Sequence, residues 1–495
     1  LNDVVKSVFR DYEKNLAENN LVDFEGLLIL TIRLLKENKE IRNYYKKVFQ
    51  YIMVDEFQDT NNVQYELIGL LVNENNNLFI VGDEDQSIYA FRGANIENIR
   101  KFKKDYPNYH LVLLEQNYRS TNNILTAANQ IIKNNKSRVP KNLFSDKGDG
   151  AVITHYKGIT ARDEVEFVAM TILKMSRMGY KFDDFAILYR ANSTSRMFEE
   201  VFMQKKIPYR IFGNTSFFKR KEIKDFTSYL RLILNMDDAF SFMRVISNPK
   251  RGIGQVTIDK LVDFAIAESL DLFEAIDRSN EILGKSAVNK LIDFKNMIID
   301  FRVKLDELSF SQFVDYILSE SGYIEMLKKD EKGDVRYENL LEFKTILSEN
   351  EKIYETLEKE EILLYLLEDI SLKSEESQSE IEDGVTFMTL HAAKGLEFRV
   401  VFLVTMENGM FPLNSSFNDK KQFEEERRLM YVGVTRAKEK LFITNANTRQ
   451  TYGETNQNPD SAFLKEIDPE LVEVKGYSEI INTPASKSTF LRRKT

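Results

Sequence analysis

Tyr51-Ile52-Met53-Val54-Asp55-Glu56-Phe57-Gln58-Asp59-Thr60 is an apolar run closed by paired carboxylates, the pattern of a buried strand that delivers acids to its carboxyl end. Open α/β sheets bind ligands at that end, so Asp55 and Glu56 mark a candidate phosphoryl-transfer site. One acid can hold a divalent cation while its neighbour orients an attacking water. Similar apolar runs recur at 78–81, 111–114, 186–189, 385–390, 400–404 and 441–444. Helical periods lie between several of them, as at 121–134 behind Ser120 and Thr121, so the expected class is α/β with parallel sheets. From about 213 to 380 the apolar spacing turns helical, as in Ile223, Phe226, Tyr229, Leu230, Ile233 and Leu234. That stretch predicts a helical domain inserted in the second α/β unit, and 371–384, rich in Ser, Glu and Gln, reads as its solvated exit. From Asp468 onward periodicity fails and the chain closes on Arg492-Arg493-Lys494-Thr495, which predicts a loose basic tail.

Composition narrows the chemistry. At 495 residues and 43% hydrophobic the chain can bury several cores, and the length suggests roughly three domains. Zero cysteines remove disulfides, thiolate zinc sites and cysteine nucleophiles, and three histidines leave little for a metal cluster. No apolar stretch approaches a membrane span and the first ten residues lack a signal-peptide layout, so a cytoplasmic protein is expected. The net charge of −9 conceals polarity along the chain: 205–224 mixes cations with aromatics, while 349–383 gathers acids.

A nucleotide site needs a phosphate cradle, usually Gly-x4-Gly-Lys-Ser/Thr after a strand. Gly284-Lys285-Ser286 has Ser279 where the first glycine belongs and no strand before it, so it reads as a decoy in a helical region.

Beyond the acidic pair stand Gly82-Asp83-Glu84-Asp85-Gln86-Ser87-Ile88-Tyr89-Ala90-Phe91-Arg92-Gly93-Ala94, then Gln116-Asn117-Tyr118-Arg119-Ser120. Pro249-Lys250-Arg251-Gly252-Ile253-Gly254 follows in the helical stretch. Last come Thr389-Leu390-His391-Ala392-Ala393-Lys394-Gly395-Leu396-Glu397-Phe398 and the 424–438 segment EEERRLMYVGVTRAK. In these motifs and their order the chain resembles the UvrD/PcrA/Rep group of superfamily 1 DNA helicases across nearly its whole length.

The resemblance implies two RecA-like parallel-sheet core domains, the first incomplete, with a helical domain inserted in the second. It places the first core at 1–122, the second at 123–212 and 381–467, the insert at 213–380 and a flexible tail at 468–495. It implies ATP and Mg²⁺ as cofactors, with Asp55 as the magnesium ligand, Glu56 activating water and Gln86 sensing the γ-phosphate. Tyr118 would stack on adenine, Arg119 and Arg436 would reach the γ-phosphate, and Glu397 beside Gly395 would bind ribose. His391 would couple the nucleotide site to movement. Tyr89, Phe91 and Arg92 would contact DNA, with Phe91 standing where the family commonly has tryptophan. Tyr452 would add an aromatic for the strand, although core packing suits it equally. Arg251, Gly252 and Gly254 would form a duplex-binding turn, the alternative being an ordinary glycine turn between helices.

The expected function is ATP-dependent 3′-to-5′ translocation on single-stranded DNA and unwinding at a single-strand/duplex junction. A monomer is expected, serving repair or replication with proteins of those pathways, and without membrane association. The resemblance further puts Leu1 inside the first core's own insert, with the phosphate cradle upstream, so the isolated chain is expected to be inactive. The rival reading is a truncated, non-catalytic DNA-binding remnant or regulatory subunit.

Overall fold

The computed structural model describes residues 3–75, 77–136, 138–212, 217–375, 383–451 and 454–476. The chain packs into two units, Leu1–Gly148 with Ser415–Thr435, and Asp149–Asn414 with Arg436–Thr495.

In the first unit, β1 (Ile52–Val54) and β2 (Leu78–Ile80) pair in parallel, with Ile52 opposite Leu78 and Val54 opposite Ile80. The helix Asn62–Leu71 makes the crossover between them, its first turn closed by a capping box in which Asn61 and Gln64 satisfy each other's backbone amides. The helix Phe24–Glu37 packs on this crossover and starts where Asp23 accepts from Gly26 N at 2.7 Å. Helix Asn122–Ile132 buries Ile124, Leu125, Ala127, Ala128, Ile131 and Ile132. It packs against helix Lys420–Val434, which returns from much later in the chain. Residues 123–148, expected with the second core, are thus packed in the first unit. The run 111–114 forms no strand; Leu111, Val112, Leu113 and Leu114 are all exposed, so apolar content alone did not find a pairing partner there.

The second unit is built on a sheet in the order β10-β3-β8-β7-β4-β6-β5. Its strands are β3 (Ile153–Thr160), β4 (Phe185–Tyr189), β5 (Tyr209–Ile211), β6 (Val385–Thr389), β7 (Phe398–Leu403), β8 (Ala437–Thr451) and β10 (Val472–Gly476). Every pairing in that order is parallel, while the short β9 (Glu454–Asn456) folds back antiparallel on β8. Parallel strands covered on both faces read as continuous apolar runs, and β4 is buried at every position. β10 corrects the expectation for the tail: residues 472–476 pair with β3 as a sheet edge, because Val472 and Val474 alternate with polar residues in a strand too short to stand out. The rest of the expected tail, 477–495, lies outside the described residues.

Between β5 and β6 the chain runs through helices from Lys221–Leu234 to Lys359–Glu375, with no strand among the described residues. Their apolar faces form one cluster that includes the expected Ile223, Phe226, Tyr229, Leu230 and Ile233. Among the described residues no helix is long and apolar enough to cross a membrane.

Candidate functional site

In the first unit, Asp55 and Glu56 leave the carboxyl end of β1 as exposed side chains, as the sequence requires of acids that meet a ligand. Asp55 Oδ1 accepts from Glu56 N at 2.8 Å, and Glu56 adopts a left-handed backbone, φ 49°, uncommon for a residue with a side chain. Sequence reasoning missed the residue that joins this pair to the next motif. Gln58, 0% exposed, donates Nε2 to Glu56 Oε2 and accepts from Asp83 N at 2.8 Å. Gly82 is needed for that approach, since a Cβ there would stand 2.6 Å from Gln58 Oε1. Gln58 was in plain view at the second place after the acids, but nothing in the sequence says that its amide turns toward both loops.

Asp83 then organises the turn that carries Gln86. Its Oδ2 accepts from Gln86 Nε2 at 2.7 Å, and its Oδ1 accepts from Asp85 N at 3.0 Å and from Lys141. Asp85, buried, receives both arms of Arg138 at 2.9 and 2.7 Å, and this carboxylate holds the Arg138 guanidinium above its ordinary pKa. The turn continues into Tyr89, Phe91 and Arg92. The Tyr89 and Phe91 rings lie 6.1 Å apart, and the Arg92 guanidinium lies 5.3 Å from one centroid and 5.5 Å from the other. Phe91 is 67% exposed, so a base can reach its face.

Helix Lys420–Val434 backs this turn: Glu425 accepts from Ala90 N at 3.2 Å, and Arg427 donates to Asn135 Oδ1 at 2.7 Å. Burial pushes the pKa of Arg428 on the same helix down. Arg119 donates to Thr435 O at 3.2 Å, at the helix's carboxyl end, while its own backbone N–H is held by Asn117 Oδ1 at 2.8 Å. Tyr118 is 77% exposed, with its hydroxyl donating to Gln116 at 3.2 Å. The first unit thus joins Glu56, Asp83 and Gln86 through short hydrogen bonds ahead of Tyr89, Phe91 and Arg92, while Arg119, beside Tyr118, is bonded to the carboxyl end of helix Lys420–Val434.

The remaining expected residues belong to the second unit. His391 is half-buried one residue past Leu390, which donates its N–H to Tyr189 O across the sheet. The loop after it turns at Gly395, φ +83°, with open space where a side chain would stand. Arg436, only 2% exposed, donates to Leu396 O at 3.1 Å, and Glu397 pairs with Lys438 at 2.7 Å. Tyr452 lies outside the described residues.

In the helical insert the turn expected to meet a duplex is present, with Gly252 at φ +69° and exposed Gly254 starting the helix Gln255–Glu268. Arg251 behaves differently from the expectation of a cation turned to DNA. Its guanidinium points inward and donates to Val245 O at 2.7 Å, Pro249 O at 2.9 Å and Tyr229 Oη at 2.6 Å. It also lies over the Phe294 ring at 5.4 Å. The decoy Gly284-Lys285-Ser286 opens the helix Lys285–Glu307, with no strand ahead of it.

Among the described residues no group of three or more His, Asp or Glu is placed to hold a metal. Magnesium keeps several waters and takes one or two carboxylates plus substrate phosphates. Asp55, exposed at a strand end beside Glu56, fits such a role.

Comparison with known proteins agrees with these motifs. The UvrD-like helicase C-terminal domain matches residues 112–448, and the UvrD/REP helicase N-terminal domain matches residues 1–107. The chain is 43% identical over 475 residues to the ATP-dependent DNA helicase PcrA of Staphylococcus epidermidis, covering 95% of this chain and 65% of that protein. It is 44% identical over 481 residues to PcrA of Bacillus subtilis, covering 95% of this chain and 64% of that one. The chain therefore spans a little under two-thirds of the length of the curated relatives it matches.

Proposed function

The chain belongs to the UvrD-like helicase family, and from that membership we propose that it serves ATP-driven 3′-to-5′ translocation on single-stranded DNA and the opening of duplex at a junction. One observation carries the reading furthest. An unbroken chain of hydrogen bonds runs from Glu56 through Gln58 to Asp83 and Gln86, and the same turn leads within a few residues to Tyr89, Phe91 and Arg92. A motor needs such a connection, because the event at the γ-phosphate must alter how bases are held. Aromatic faces accept any base, which suits stepping without reading sequence.

In this reading Asp55 holds magnesium, which neutralises phosphate charge when bound, and Glu56 orients water and takes its proton. Gln86 contacts the γ-phosphate, Tyr118 stacks on adenine, and Arg119 and Arg436 are the guanidiniums that meet developing charge on the phosphoryl oxygens. Gly395 and Glu397 flank ribose, and His391 links the nucleotide to movement. Gly252 and Gly254 present backbone amides to duplex phosphates. The two packed units are read as the two cores, with 123–148 and 415–435 in the first and the insert at 213–380 in the second, and the protein works as a cytoplasmic monomer in repair or replication.

The test is hydrolysis by the full gene product with and without single-stranded DNA. Stimulated turnover that Glu56→Gln abolishes while DNA binding persists supports the reading. Turnover indifferent to DNA, or surviving Glu56→Gln, overturns it. For these 495 residues by themselves we propose DNA binding without turnover, because their single Gly-Lys-Ser opens a helix of the insert rather than following a strand. DNA-stimulated hydrolysis by the purified chain would refute that.

A further inference from the structure

We propose that Arg138 and Lys141 are positioning residues that set the nucleotide sensor Gln86. Gln86 as the side chain that meets the γ-phosphate is taken from the helicase reading, on which this step rests. The acids 83–85 are each fastened to the segment 138–141. Lys141 binds Asp83 Oδ1 and reaches Asp85 Oδ2 at 3.3 Å, and Arg138 forks onto both oxygens of Asp85. Val139, between the two cations, donates its N–H to Glu84 Oε2 at 2.9 Å.

The energetic weight of this clasp follows from its burial. The side chains of Asp85, Arg138 and Lys141 are 2%, 11% and 16% exposed, so water and salt screen the pairs little. Removing one cation leaves a poorly solvated carboxylate without a counter-charge, and that carboxylate turns to whatever donor is near. For Asp83 the near donor is Gln86, already bonded to its other oxygen at 2.7 Å. Lys141 thus decides how tightly Asp83 competes for the amide that the γ-phosphoryl group must recruit. Arg138 holds Asp85, whose own N–H closes onto Asp83 at 3.0 Å and fixes the turn's shape. Neither cation stands among the proposed nucleotide contacts, so both act through the acids. Mis-setting Gln86 should cost the transition state more than the bound ground state, since only the former needs the amide at its final place.

The experiment is steady-state ATP hydrolysis by the full gene product at saturating single-stranded DNA. Lys141→Met should lower kcat about tenfold while the KM for ATP moves less than about twofold. Lys141→Arg, which restores the charge, should recover most of that loss. Arg138→Gln and Asp85→Asn should each slow turnover, and the double variant should be no slower than the slower single one, as for residues acting as a unit. Unchanged kcat in Lys141→Met, a loss that Lys141→Arg does not recover, or strictly additive effects at Arg138 and Asp85 would each overturn the proposal. If Lys141→Met does not fold, the Arg138/Asp85 cycle decides by the same criterion. A wild-type protein without DNA-stimulated hydrolysis would sink the helicase reading and this inference together. An active wild type with an indifferent Lys141→Met sinks the inference alone.

Discussion

Arg251 offers a test of whether a residue of the proposed duplex-binding turn builds that turn or touches DNA. In Arg251→Ala the Pro249 carbonyl loses the guanidinium that donates to it at 2.9 Å, and the Tyr229 hydroxyl loses a donor at 2.6 Å. Val245 O keeps one donor, since Asn248 N still reaches it at 3.3 Å. A buried acceptor stripped of its donor costs about 1–3 kcal/mol, so with the partial losses the insert should weaken locally by roughly 2–4 kcal/mol. Arg251→Lys keeps the charge and one bond but not the fork, and should cost about half as much. The chain packs into two units, so a global unfolding curve does not isolate a loss confined to the insert. Hydrogen exchange followed by mass spectrometry over the helices Ala239–Ser247 and Gln255–Glu268 reads the local loss directly. Duplex binding across a salt series gives the second axis. A phosphate contact contributes about 0.9 to the slope of log K against log salt. Arg251→Ala should leave that slope unchanged while exchange quickens, whereas Lys250→Ala, at an exposed position, should lower the slope by about one with exchange unaltered. Unchanged exchange in Arg251→Ala together with a slope lowered by about one would refute the reasoning and return Arg251 to the duplex.

Phe91→Ala should weaken single-stranded DNA binding by about 1–3 kcal/mol across unrelated sequences, measured by fluorescence anisotropy, with thermal stability unaltered because the ring is exposed. In the full gene product, Gln58→Leu should preserve the fold of the first unit yet uncouple hydrolysis from DNA, so that in steady-state ATPase assays the DNA-stimulated share of turnover falls while basal turnover changes less. Gly82→Ala places a Cβ 2.6 Å from the Gln58 oxygen and should destabilise that loop by about 1–3 kcal/mol, seen as faster exchange at 82–87. His155, on β3 and in hydrogen-bond contact with Asn445 at 2.7 Å, has its pKa pushed below the ordinary value chiefly by burial. Its unfolded form therefore takes up a proton first as pH falls through about 6.5, so it contributes stability at neutral pH that is lost on acidification. His155→Gln should flatten the fall in thermal midpoint between pH 7.5 and pH 5.5, and an identical fall in both proteins would count against a buried neutral imidazole.

The sequence by itself determined what depends on local pattern and chemistry. β4 reads as a buried strand because every residue from Phe185 to Tyr189 is apolar or aromatic and faces a covered sheet, and the insert reads as helical because Ile223, Phe226 and Leu230 recur on one face. The acids at 55–56 could be singled out for a similar reason, since an apolar run closed by two carboxylates is a local pattern, whereas the roles expected of Gln86, Arg119 and Arg436 came from the resemblance of their motifs to a family and not from spacing. Only the tertiary structure decided the rest. Helix Lys420–Val434 packs on Asn122–Ile132 although nearly three hundred positions separate Asn135 from its partner Arg427, and no local period records such a meeting. The run 111–114 and the strand β10 went opposite ways from their patterns, since a strand exists only where another offers its unpaired amides and carbonyls. The bonds of Gln58, Arg138 and Lys141 to the acids at 56 and 83–85 were invisible in the sequence, as was the inward turn of the Arg251 guanidinium. A side chain's role is set by which way it turns and what it meets, and that direction is fixed by packing from distant parts of the chain.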